Sequence, residues 1–146
     1  MSKICTSIEQ SKKFIELGID VNTADMCISL FTIITNGSKE IKQVLMPLNY
    51  SNVTEYPTPD FIERFPAWSL SALLDLMPKS ICIKQNEHSG YFYFLEWQFA
   101  NDNSLRYVGH DGKCIIDIYS DHDVKLKDSI DTAFEMICWL KENRKL

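Results

Sequence analysis

Between residues 79 and 120 the hydropathy period is two, and the breaks in it are short. Four strand segments are expected, at 81–84, 91–99, 105–109 and 113–120. The links between them, Q-N-E-H-S-G, A-N-D-N-S and Asp111-Gly112, are turn chemistry. Links this short join antiparallel neighbours, because a parallel pair needs a crossover of about a dozen residues or more. The stretch is therefore expected to be a meander.

The segments around it carry a helical period or β-branched runs. At 128–144, Ile130, Ala133, Phe134, Ile137 and Leu140 recur at the spacing of one helix face, widened by Met136, Cys138 and Trp139. Asp128 or Ser129 can cap it, Asp131 suits the positive end of its dipole, and Lys141, Arg144 and Lys145 suit the negative end. Two overlapping capping boxes, Thr6 with Glu9 and Ser7 with Gln10, start a helix that runs to Leu17, with Gly18 beyond it. A short turn of helix capped by Asp20 or Asn22 follows. A third helix, with Ser69 as N-cap and Pro78 as its stop, buries Leu70, Leu73, Leu74 and Met77. Segment 27–34 (C-I-S-L-F-T-I-I) is a strand, and Asn36-Gly37 turns it into a partner at 41–48 that ends near Pro47. Residues 49–65, rich in proline and polar side chains, are expected to be a loop with at most one helical turn at 60–64. The whole predicts a single α+β domain over 1–146. Its antiparallel sheet of about four to six strands has the N- and C-terminal helices packed on one face.

With 146 residues and 45% hydrophobic content, the chain can bury a core without disulfides or a metal. A net charge of −5 argues against nucleic acid, whose binders use a basic surface to neutralise phosphate. Contact with nucleic acid would require Lys39, Lys42, Lys125, Lys127, Lys141 and Lys145 to converge. The five cysteines are irregularly spaced with no C-x-x-C pair, which excludes zinc ribbons and thioredoxin-type motifs. They read as reduced thiols in a cytoplasmic protein, and no run suits a signal peptide or a membrane span.

No phosphate-binding, nucleophile-elbow or zincin motif occurs, and no cofactor or metal is expected. The densest polar cluster joins His110, Asp111, Lys113, Cys114 and Asp117 to Asp121, His122 and Asp123. A strand at 113–120 would hold His110 and His122 about 25 Å apart at roughly 3.3 Å per residue, too far to share an ion. With Asp111-Gly112 as a two-residue turn, Cys114 faces away from His110, buried beside Ile116, and the imidazole is solvated. What remains is surface. Tyr91, Tyr93, Leu95, Trp97 and Phe99 share one face of the central strand, while Phe92 and Phe94 start the other, a pattern expected of a strand covered on both sides at one end. Tyr91, Tyr93, Trp97 and Phe99 are the candidate binding residues for a protein partner or a second copy, in a module without catalysis. The alternative is an enzyme of unrecognised class with its site under the 49–65 loop, near His110, Asp111 or Asp117.

Four blocks also carry a resemblance: C-T-S-I-E-Q-S-K-K-F-I-E-L-G-I-D at 5–20, N-T-A-D-M at 22–26, P-A-W-S-L-S-A-L-L-D-L-M-P at 66–78 and D-T-A-F-E-M-I-C-W-L-K-E-N at 131–143. Together they resemble a group of small proteins of gut anaerobic bacteria, their prophages and mobile elements. The resemblance covers under half of the chain and implies a cytoplasmic accessory protein of phage or mobile-element origin. It supplies no activity and no site residues.

Overall fold

The computed structural model describes residues 3–47, 60–98, 104–118 and 128–146. Over these described residues it is an α+β structure with two antiparallel sheets and three α-helices. Its contacts divide the chain into two compact units, Ile4–Ala72 and Leu73–Leu146, the latter joined by Met1–Lys3.

The N-terminal unit opens with α1 (Ile8–Glu16). Ser7 and Gln10 form the reciprocal capping box: the Gln10 amide donates to the Ser7 hydroxyl at 3.2 Å, and the Ser7 amide donates to Gln10 Oε1 at 2.9 Å. The helix ends in a Schellman arrangement, with Ile19 N donating to the Phe14 carbonyl and Gly18 N to that of Ile15. A single 3-10 turn at Val21–Thr23 is capped by Asp20, whose carboxylate accepts from Asn22 N.

Strands β1 (Met26–Thr35), β2 (Ser38–Met46) and β3 (Phe61–Ala67) form a sheet of order β2-β1-β3. The β1–β2 hairpin closes at Asn36-Gly37 with φ of 51° and 81°, the left-handed pair that a twisted two-residue turn requires. Strand β3 occupies residues where a loop or helical turn was expected. It is an edge strand, paired with β1 from Met26↔Ala67 to Phe31↔Phe61. An edge tolerates Pro66 and leaves Glu63 exposed, so the segment has little strand pattern of its own. The rest of the expected 49–65 loop, up to Pro59, lies outside the described residues.

Beneath this sheet, Phe14 and Trp68 are fully buried, in edge-to-face contact at 5.2 Å, worth about 0.5–1.5 kcal/mol beyond their area. Trp68 Nε1 donates to Thr23 Oγ1 at 2.9 Å, and its backbone amide donates to the buried Thr6 hydroxyl at 3.1 Å. The polar ends of the indole and of Thr6 are thus satisfied inside the core. The division between the units falls within α2 (Leu70–Leu76), whose first turn is capped by Ser69 Oγ accepting from Ala72 N.

In the C-terminal unit the expected meander is present. Strands β4 (Ser80–Asn86), β5 (Ser89–Gln98), β6 (Ser104–Gly109) and β7 (Cys114–Ile118) lie in the order β4-β5-β6-β7, each antiparallel to the next. Helix α3 (Ser129–Glu142) packs on β6 and β7 and buries Ile130, Ala133, Met136, Ile137 and Leu140. Asp128 is its cap, accepting from Ile130 N at 2.9 Å. The Asp128 carboxylate also accepts from Lys3 N at 2.6 Å, and Lys3 Nζ pairs with Asp131.

Candidate functional site

The register of the four-stranded sheet decides which side chains of β5 reach solvent. Directly opposed residues of an antiparallel pair share a face. Tyr93 lies opposite Ile81 and Gly109, Leu95 opposite Tyr107, and Trp97 opposite Leu105. Ile81, Leu105 and Tyr107 are all buried, so this is the inner face. Tyr107 Oη donates to the Pro78 carbonyl at 2.6 Å, and burial pushes its phenol well above the ordinary tyrosine value.

Of the aromatic residues expected to bind a partner, Tyr93 and Trp97 are therefore half-buried members of the core face. Tyr91 lies on the same face towards the strand end, 51% exposed. Phe99 lies outside the described residues. The exposed aromatic pair is Phe92 and Phe94, at 53% and 46%, on the opposite face, where cover had been expected. Glu96 follows them on that face. That polar residue, with Gln98 two positions on in the sequence, is a signal that marks the face as the solvent side.

Around the two phenylalanines the register gathers Cys82 (opposite Phe92), Val108 (opposite Phe94) and Cys114 (opposite Val108). Both thiols are exposed. The imidazole of His110 meets the Phe94 ring edge-on at 5.4 Å. On the other side Arg106 binds Glu96 through Nε and Nη2, each 3.1 Å from Oε2, and lies opposite Asp117. The hydrogen bond to Glu96 holds the guanidinium more firmly protonated. The result is an apolar patch bordered by an ion pair.

Cys114 departs from expectation. Gly109 N donates to the Lys113 carbonyl at 2.9 Å and Gly112 N to that of Gly109, so the β6–β7 turn is longer than the Asp111-Gly112 pair. A register shift between Tyr107 and Val108 then sets Cys114 opposite Val108. That displacement turns Cys114 to the outer face and exposes it.

Neither alternative site is assembled among the described residues. Asp117 is exposed on β7, and His110 leans on Phe94 in the turn. His122, Asp121 and Asp123 lie outside the described residues, as does most of the loop that was to cover them. Among the described residues no three His, Cys, Asp or Glu side chains come together as a metal site. Lys39 and Lys42 sit on opposite faces of β2, and Lys125 and Lys127 are not among the described residues. An open depression of about 240 Å³ lies at the β4–β5 turn, lined by Cys82, His88, Gly90 and Phe92 among others, below the range of roughly 300–1,000 Å³ usual for ligand pockets. Among the described residues no helix is long and apolar enough to cross a membrane.

No protein-family model matches the chain, and comparison with curated proteins and with solved structures returned no match.

Proposed function

We propose that this protein is a non-enzymatic interaction module that docks another protein on the outer face of its four-stranded sheet. The observation that carries the reading is the exposure of Phe92 and Phe94 side by side on β5, flanked by Val108 and the Cys82 and Cys114 thiols. Two large rings held half in water by a rigid strand gain most from burial against an apolar partner. Covering both side chains contributes on the order of 1–3 kcal/mol each. The Glu96–Arg106 pair at the border supplies the polar rim that interfaces of this kind carry.

The setting belongs to the same proposal. No disulfide joins any of the five cysteines, which suits a reducing cytoplasm, and the four sequence blocks suit an accessory protein of prophage or mobile-element origin.

The test is affinity capture from the native host with immobilised wild type and with the Phe92→Asp/Phe94→Asp variant, both checked for folding by circular dichroism. A partner held by the wild type and released by the variant, then reconstituted as a purified pair, is the expected result. A folded variant that keeps every captured protein would remove the outer face from consideration.

A further inference from the structure

A second surface stands out in the N-terminal unit. Strand β2 is an edge of its sheet, and every residue from Ser38 to Leu45 is exposed, so both its faces are bare. It nevertheless carries Ile41 at 69% exposure, with Val44 and Leu45 each at 37%, and Ile34 on the adjoining β1 is 66% exposed. Among the described residues no strand pairs with the outer side of β2, and a long, partly apolar edge pairs with another strand unless something prevents it.

The hydrogen-bond phase identifies which groups are free. Thr32 N donates to the Asp60 carbonyl at 2.7 Å, on the β3 side of β1. Its β2 partner, Ile41, is therefore a non-hydrogen-bonded pair, and the Ile41 N–H and C=O point away from β1 to the open edge. By alternation Lys39 and Gln43 also point outward, while Glu40 and Lys42 bond to β1.

We propose that β2 pairs with β2 of a second copy of this chain, antiparallel, about a two-fold axis at Ile41. In this register Ile41 faces the partner's Ile41 and exchanges both backbone hydrogen bonds with it. Glu40 faces the partner's Lys42, Lys42 faces the partner's Glu40, and Lys39 faces the partner's Gln43. Registers centred on Lys39, Glu40 or Lys42 would set like charges against each other. The sequence K-E-I-K-Q is thus self-complementary in charge about Ile41, whose backbone phase permits the pairing. The joined sheet has the order β3-β1-β2-β2-β1-β3, and Ile34 and Ile41 of both copies meet on one face of it. This pairing uses a strand and a unit separate from Phe92 and Phe94, so either surface can fail without the other.

Sedimentation equilibrium and native mass spectrometry of the wild-type chain test it. The wild type is expected to be a dimer, and Glu40→Lys to weaken it about tenfold or more by opposing like charges twice. The exchange Glu40→Lys/Lys42→Glu, which keeps the composition, should restore wild-type affinity. Ile41→Pro removes an N–H that β1 does not use, so the folded hairpin is retained while the dimer is lost. A wild type that stays monomeric at the highest workable concentration overturns the proposal. So does a dimer indifferent to Glu40→Lys, or one that the charge exchange fails to restore. Should Glu40→Lys unfold, the charge exchange and Ile41→Pro decide the matter.

Discussion

Tyr93 lies across Gly109. A Cβ on Gly109 would stand 3.2 Å from Tyr93 Cε1 and 3.1 Å from Asp111 Oδ1, so the ring occupies the space that any larger residue would fill. The missing side chain leaves room for the phenol ring beside the Gly109 backbone. Gly109→Ala is therefore expected to cost up to about 1 kcal/mol, because Tyr93 and Asp111 must give way by a few tenths of an ångström, read as a lower midpoint in denaturant. Tyr93→Asp should cost about 2 kcal/mol or more, because it sets a charge on the inner face. Phe92→Asp, on the outer face, should stay within about 0.5 kcal/mol of the wild type. The reverse ranking would mean that the two faces have been exchanged.

Tyr107 makes alkaline stability testable. Its folded-state pKa is raised by burial, so the neutral phenol is favoured in the fold. Its contribution is complete below the unfolded value of about 10 and is lost as pH rises through the folded value. Urea unfolding should show stability falling above about pH 10, and Tyr107→Phe should flatten that part of the fall. The same substitution removes the bond to the Pro78 carbonyl and costs about 1 kcal/mol at neutral pH. A Tyr107→Phe variant with an unchanged alkaline profile would contradict this assignment.

The thiols should react in a fixed order. Cys82 and Cys114 are exposed and Cys27 is buried. Burial first, and the Asp25 charge second, raise the Cys5 pKa and keep it a thiol at neutral pH. Timed alkylation followed by peptide mass spectrometry is expected to modify Cys82 and Cys114 early and Cys27 only on unfolding. Cys5 should accelerate at alkaline pH. Early modification of Cys27 would show that the β1 core is open.

Helix α3 ends on a strained residue. Arg144 has φ 54°, and its amide donates to the Lys141 carbonyl while Lys145 N donates to that of Leu140 at 2.7 Å. A non-glycine residue there costs about 1 kcal/mol, part of which glycine would return as unfolded-state entropy. Arg144→Gly is expected to stabilise the chain by about 0.5 kcal/mol. A destabilised variant would mean that the Arg144 side chain contributes more than its backbone costs.

What the sequence made legible was local. The period of two with its short turns predicted β4–β7, Asn36-Gly37 predicted the β1–β2 hairpin, and Ser7, Gln10 and Ser69 predicted their caps. Strand β3 escaped because Pro66 and its charged residues mask a strand defined by its pairing with β1 rather than by its own pattern. The exposed face of β5 escaped for a similar reason. Alternation shows that Phe92 and Tyr93 point opposite ways, but buried Leu105 and Tyr107 on the next strand determine which way is in. Cys114 turned on the length of one turn: the longer turn sets it opposite Val108, and a bulge restores the expected pairing from Tyr107↔Ile116 onward.

The bonds from Lys3 to Asp128 and Asp131 carry a consequence for synthesis. A ribosome makes Lys3 125 residues before Asp128, so Lys3 must wait for α3 before its partners exist. A label placed at Lys3 is carried to the first turn of α3 and in effect reports on that helix.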